Sequence, residues 1–152
     1  MFNSTKYRTG AKPTPISVTS GPLAARRMLE ELMAQLDALT LSVDNAGKVE
    51  LVVAEALNNV VEHAYPDGSP DGPIRLDWAV EADLLKFKIT DQGLGMPDGK
   101  APNGRAQSVK VDIMDLPEGG FGWFLIRDLA EDVEYCRSGW ENCLHFNLRI
   151  HD

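Results

Sequence analysis

Residues 74–91 constrain the fold more than any other part of this chain, because their apolar residues alternate. Ile74, Leu76, Trp78 and Val80 fall on one face of an extended segment, and Leu85, Phe87 and Ile89 on one face of the next. Only about three residues separate the two segments, which predicts an antiparallel hairpin. Leu144, Phe146, Leu148 and Ile150 alternate in the same way with His145, Asn147 and Arg149, and a run from Val133 to Arg137 precedes them across a short turn. Strands with a single apolar face make a sheet covered on one side only. Helices have to supply the cover. Leu23 to Leu39 carries helical spacing through Met28, Leu32 and Leu36. Val49, Val52, Val53, Ala56, Leu57, Val60, Val61 and Ala64 step by three and four residues without a break, with Asp44 the expected N-cap. Phe121 to Ala130 reads as a further helix, and Ile16 to Thr19 as a short strand. The predicted class is an α/β (α+β) two-layer sandwich, a mixed, mainly antiparallel sheet covered on one face by about three helices. A doubly wound fold, whose strands are buried on both faces, does not fit.

A chain of 152 residues predicts one domain. Residues 1–14, with Gly10 and Pro13 and few apolar groups, are expected to be a flexible tail, leaving 15–152 as the domain. Residues 96–119 lack any sustained period, and a loop of that length inside a compact domain is commonly functional, as in a lid. The net charge of −8 argues against a nucleic-acid surface. No apolar run reaches the roughly 20 residues of a membrane span. The polar N-terminus has no signal-peptide core, so a cytoplasmic location is expected. Cys136 and Cys143 lack metal-ligand spacing and are expected to stay reduced.

Three clusters carry potential chemistry. Period two places Asp91 on the apolar side of its strand, just before Gln92-Gly93-Leu94-Gly95. A carboxylate directed inward needs hydrogen-bond donors, and glycines beside it allow close backbone approach. The arrangement reads either as a ligand pocket or as a strand-end aspartate capping a turn. Glu55 and Asn59 lie one turn apart on the long helix, opposite the valine and alanine stripe. They read either as a solvated face or as a proton acceptor beside a neutral oxygen donor for Mg²⁺. Gly119-Gly120-Phe121-Gly122-Trp123 leads into a helix, and such an entry offers backbone N–H groups to an anion such as phosphate. No Walker-type phosphate loop occurs.

In this order and spacing the three clusters resemble the Bergerat ATP-binding fold of gyrase, the large heat-shock chaperones and sensor histidine kinases. The stretch from Glu55-Ala56-Leu57-Asn58-Asn59 to His63-Ala64-Tyr65 is similar to the N box of the anti-sigma factor serine/threonine kinases. Gly120-Phe121-Gly122-Trp123-Phe124-Leu125-Ile126 is similar to their last glycine box. The resemblance covers roughly residues 16–150. It implies an ATP-dependent protein serine/threonine kinase that phosphorylates a STAS-domain anti-anti-sigma protein and sequesters a sigma factor, often as a homodimer. It implies ATP and Mg²⁺ as cofactors, with Asp91 accepting from the adenine amino group and Gly93 and Gly95 passing close to base and ribose. Asn59 would hold the metal, Gly120 and Gly122 would close around the phosphates, and Glu55 would be the catalytic base. No direct nucleic-acid or membrane contact is expected. The alternative is a non-catalytic ATP-binding module acting by sequestration. A detached histidine-kinase domain is the weaker reading, because residues 1–20 are too short for an upstream phosphoacceptor domain. Two features depart from the family pattern. Glu141-Asn142-Cys143 stands where a Gly-Thr pair is usual, and the lid cation is represented only by Arg105 or Lys110.

Overall fold

The computed structural model describes residues 12–65, 72–94 and 120–150, apart from the side chains of His63 and of 120–124. In chain order the elements are β1 (Ile16–Thr19), α1 (Ala24–Leu36), a 3-10 turn (Asp37–Leu39) and α2 (Val43–Asn59), which runs into a π-helical turn (Val60–Ala64). Then come β2 (Pro73–Glu81), β3 (Leu84–Asp91), α3 (Gly120–Leu129), β4 (Glu131–Ser138) and β5 (Glu141–Arg149). Most of the tail expected at 1–14, and the lid expected at about 96–119, lie outside the described residues.

The strands form one five-stranded sheet in the order β1-β2-β3-β5-β4. Every neighbouring pair is antiparallel, so the sheet predicted as mixed has no parallel pair among the described residues. Two hairpins account for this. β2 and β3 turn at Ala82 and Asp83, β4 and β5 turn at Gly139 and Trp140, and the second hairpin docks β5 against β3.

The alternation read in the sequence becomes rows across the inner face. Trp78, Phe87 and Phe146 form one row; Leu76, Ile89, Leu144 and Tyr135 form the next. The Phe87 and Phe146 rings stack with centroids 5.3 Å apart. One row further on, Ile74 faces Asp91 and Asp91 faces Asn142. The polar residues make rows on the outer face, such as Asp77, Lys88, His145 and Glu134, where Lys88 stands beside Asp77 and none of the four is buried.

Helices cover the inner face. α1 buries Met28, Leu32 and Leu36 at i, i+4 spacing, and α2 buries Val49, Val52, Val53, Ala56 and Leu57. Each of these side chains other than Ala56 contributes about 1.5–3 kcal/mol on burial. α2 lies between its two neighbours and packs against both α1 and α3. The indole Nε1 of Trp78 donates to Gln35 Oε1 at 2.6 Å, fixing α1 on the sheet. At the far end, Arg149 donates from Nε and Nη2 to Glu131, both at 2.9 Å, and from Nη1 to Asp83 at 3.0 Å. That fork ties β5 to the start of β4 and to the β2–β3 turn.

The N-cap of α2 is Ser42 rather than Asp44. Ser42 holds extended backbone (φ −66°, ψ 164°) and its hydroxyl accepts from Asn45 N at 3.1 Å. Asp44 sits inside the first turn, where its charge opposes the positive end of the helix dipole. Ser42→Ala is therefore expected to lower the unfolding free energy by about 1 kcal/mol. Asp44→Ala should cost less, roughly 0.5 kcal/mol. Urea unfolding of both variants measures the order, and a larger loss in Asp44→Ala would return the cap to that residue.

Candidate functional site

β3 delivers Asp91 to the last row of the inner face, where it is 5% exposed. Its Oδ1 accepts from Gly93 N at 2.9 Å and from Asn142 Nδ2 at 2.7 Å. Burial raises the proton affinity of the carboxyl above the ordinary aspartate value; the two donors and the Arg137 charge act against that rise. The strand-end reading holds as far as the turn is concerned. Asp91 does cap its own turn through Gly93 N, but only one of its oxygens is used in doing so.

The turn after Asp91 is fastened to the end of the long helix. Leu94 N donates to Ala64 O at 2.9 Å. A Cβ on Gly93 would fall 2.2 Å from that same carbonyl oxygen, so no other residue fits there without moving the backbone. Tyr65, just past the π-helical turn, bridges two strands. Its hydroxyl donates to Pro73 O and accepts from Gln92 N, each at 2.8 Å. Burial raises the Tyr65 proton affinity above the ordinary phenol value, so the hydroxyl stays protonated at neutral pH and the bridge persists.

Glu55 and Asn59 both come from α2. Glu55 is half-buried, whereas Asn59 is only 8% exposed. The flank opposite the valine and alanine stripe is thus not solvated throughout. The helix is covered by α3 as well as by the sheet, and sequence periodicity does not register that second cover. Among the described residues the buried Nδ2 of Asn59 has no hydrogen-bond partner. Leaving a buried amide unpaired costs about 1–3 kcal/mol. Turned over, the carboxamide would place its oxygen at that buried position. These features fit a magnesium ion held by one protein oxygen and the phosphates of a substrate. Among the described residues no group of three His, Cys, Asp or Glu side chains forms a self-sufficient metal site.

Gly120 begins α3 and Gly122 lies in its first turn, so the glycine run does open a helix, and that helix packs on α2. Gly95, Arg105 and Lys110 lie outside the described residues. Backbone hydrogen bonding therefore joins the Asp91 turn to the end of the α2 segment, and packing joins α2 to the glycine-led helix. No hydrogen bond among the described residues links Glu55 or Asn59 to Asp91. The open outer face carries a separate groove lined in part by Asp77, Lys88, Glu134 and His145. It lies across the sheet from Asp91.

By its place in the sequence Asn142 is a departure from the family pattern. In the structure it is 1% exposed and touches Asp91, Tyr135, Arg137 and the Gly93–Leu94 turn. The signal was present: period two from Leu144 and Phe146 puts Asn142 on the inner face, where a polar side chain needs partners. Cys136 and Cys143 face each other across β4 and β5, and both are free thiols.

The histidine kinase-like ATPase domain family matches residues 18–148. The chain is similar to the serine-protein kinase RsbW of Halalkalibacterium halodurans, at 36% identity over 63% of this chain and 58% of that protein. It is also similar to the anti-sigma F factor of the same organism, at 26% identity over 72% of this chain and 70% of that protein. The chain thus spans less than two thirds of the length of the first of these relatives. Among solved structures, the RsbU and RsbW domains of a Mycobacterium tuberculosis protein superpose with a TM-score of 0.59 at 15% identity, covering 90% of this chain and 32% of the other. That likeness establishes the fold, and the match over residues 18–148 establishes the kinship: the chain belongs to the histidine kinase-like ATPase domain family.

Proposed function

We propose that this chain is an ATP-dependent protein serine/threonine kinase and anti-sigma regulatory factor that acts in the cytoplasm, often as a homodimer. Its phosphoryl acceptor is a STAS-domain anti-anti-sigma protein, and it sequesters a sigma factor. The observation that carries the reading is Asp91. It is a carboxylate on the inner face of a sheet, bonded among the described residues through one oxygen only, at a turn fastened to the helix that bears Glu55 and Asn59. The names of the curated relatives, a serine-protein kinase and an anti-sigma factor, point the same way.

In this reading Asp91 accepts from the adenine amino group, and Gly93 and Gly95 let the backbone lie close to the base and ribose. Asn59 holds the Mg²⁺, whose chemistry is to neutralise phosphate charge. Gly120 and Gly122 admit the phosphates to the start of α3. Glu55 takes the proton as the partner's serine or threonine oxygen bonds to the γ-phosphorus and the bond from that phosphorus to the ADP oxygen breaks. The remaining catalysis is positioning and electrostatics, as is usual for phosphoryl transfer. Glu55 and Asn59 on one helix support an enzyme over a non-catalytic module, which needs no base.

Two experiments test this. Full-length protein mixed with Mg²⁺, labelled ATP and a STAS-domain protein should transfer label, and Glu55→Gln should abolish transfer while nucleotide binding persists. Transfer undiminished in Glu55→Gln removes the base, and partner binding without any transfer favours the module.

Asp91→Asn separates binding from folding. It keeps an oxygen for Gly93 N and Asn142 Nδ2 but replaces the other acceptor with a donor, so ATP affinity should fall at least about tenfold. The sign of the stability change follows from linkage. A carboxyl whose proton affinity rises on folding stabilises the protein fully below its unfolded pKa, and loses that contribution as pH climbs to the raised folded value. At neutral pH the wild type therefore carries a penalised charge. Asp91→Asn should be at least as stable there, with its advantage shrinking on acidification; thermal unfolding across pH measures this, and unchanged nucleotide affinity would refute the pocket.

A further inference from the structure

Asn142 stands directly opposite Asp91 in the β3–β5 register. Its Nδ2 donates to Asp91 Oδ1 at 2.7 Å, to Leu94 O at 2.9 Å and to Gly93 O at 3.2 Å. Its Oδ1 accepts from the Tyr135 hydroxyl at 2.8 Å and from Arg137 Nη1 at 2.7 Å. Arg137 Nη1 also donates to Gly93 O at 3.0 Å. Acceptors surround one end of the carboxamide and donors the other. Turned over, it would set its carbonyl against a carboxylate and its amine against a guanidinium, so a single orientation is allowed. Both hydrogen bonds that Asp91 makes with described residues fall on Oδ1.

We propose that Asn142, locked by Tyr135 and Arg137, is the positioning residue for Asp91: it engages Oδ1 and so leaves Oδ2 as the oxygen offered to the amino group of a bound adenine. The inference rests on the nucleotide reading above and adds to it a three-residue clamp from β4 and β5. It also assigns a role to the Glu141-Asn142-Cys143 stretch, which the nucleotide reading leaves without one. The clamp acts by geometry and by charge. Around Asp91 stand Arg137 from β4, Glu141 and Asn142 from β5, and the neutral phenol of Tyr65 from the helix end. Of these, Asn142 and Arg137 favour the ionised carboxyl while burial and Glu141 oppose it. Removing the Asn142 donor lets Asp91 hold its proton to higher pH, and a protonated carboxyl no longer serves as a free acceptor.

The test compares Asn142→Val with Asn142→Thr, which share one shape and differ by a hydroxyl donor. Calorimetric titration of the full chain with Mg-ATP, from about pH 8 down to about pH 5.5, reads both affinity and its pH dependence. The Val variant should bind at least about tenfold more weakly at neutral pH, with the loss deepening towards acid. The Thr variant should recover most of the affinity and a flatter profile. Tyr135→Phe, which keeps the ring and removes one donor to the carboxamide, should shift the profile the same way by a smaller amount, and it carries the comparison if Asn142→Val fails to fold. Wild-type affinity and pH profile in Asn142→Val overturn the inference, as do equal losses in Val and Thr without pH dependence, which mark a packing role. Asp91→Asn in the same titration keeps the two readings apart. If it abolishes binding while Asn142→Val is silent, only the clamp falls; if it binds normally, the nucleotide reading falls with it.

Discussion

The site depends on one electrostatic constraint, a carboxylate placed at the end of an apolar surface. Sheet periodicity gives Asp91 no choice of face: Leu85, Phe87 and Ile89 are buried on the inner side, and Asp91 follows them. Burying an ionised carboxyl without donors is costly. The structure spends three devices on it: the Gly93 backbone N–H, the Asn142 carboxamide and the nearby charge of Arg137. All three come from the turn after β3 or from the β4–β5 hairpin. The hairpin is thus more than an edge of the sheet, since it carries the Asn142 and Arg137 groups that favour the ionised acid against burial.

The sequence made the strands, the one-sided sheet and the α2 stripe legible because each is a local periodicity. Ile74, Leu76, Trp78, Leu85, Phe87, Ile89, Leu144, Phe146 and Leu148 are all buried, as alternation requires. What escaped was set by neighbours in space. Ser42 and Asp44 are equally good cap types two residues apart, and only backbone conformation decides between them. The burial of Asn59 escaped, and left a solvated face as one of its two readings, because α3 packs on α2 from a distant part of the chain. The π-helical turn has no period of its own to detect. Asn142 was legible as a polar residue on an apolar face, but its partners were not, since Tyr135, Arg137 and Asp91 meet it only once the register of two strand pairs is fixed.

The outer face follows from the same alternation with the opposite outcome. Its rows carry polar and charged side chains, as where Lys88 stands opposite Asp77, and salt bridges such as Lys86 to Glu81 are exposed. Such pairs contribute little to stability in water. Their effect is to keep a broad sheet surface polar, which leaves the hydrophobic drive to act on one side only. The helices and the candidate site are therefore confined to the same side.

The link between helix and strand explains why the site needs both. Ala64 O, Leu94 N and the Tyr65 hydroxyl form a short chain of backbone-directed bonds between the end of the α2 segment and the end of β3. π-helical turns are uncommon and recur at functional sites. Here one lies between Asn59 and Tyr65, so the metal candidate and the strand bridge sit at its two ends. A displacement of the Asp91 turn has to pull on Ala64 and Tyr65, because Gly93 already touches the Ala64 carbonyl with no space for a side chain. A ligand that holds Asp91 at one end and Asn59 at the other would load the same turn from both sides. Geometry at the base end and at the phosphate end would then be set together, by backbone bonds that no substitution of either polar side chain removes.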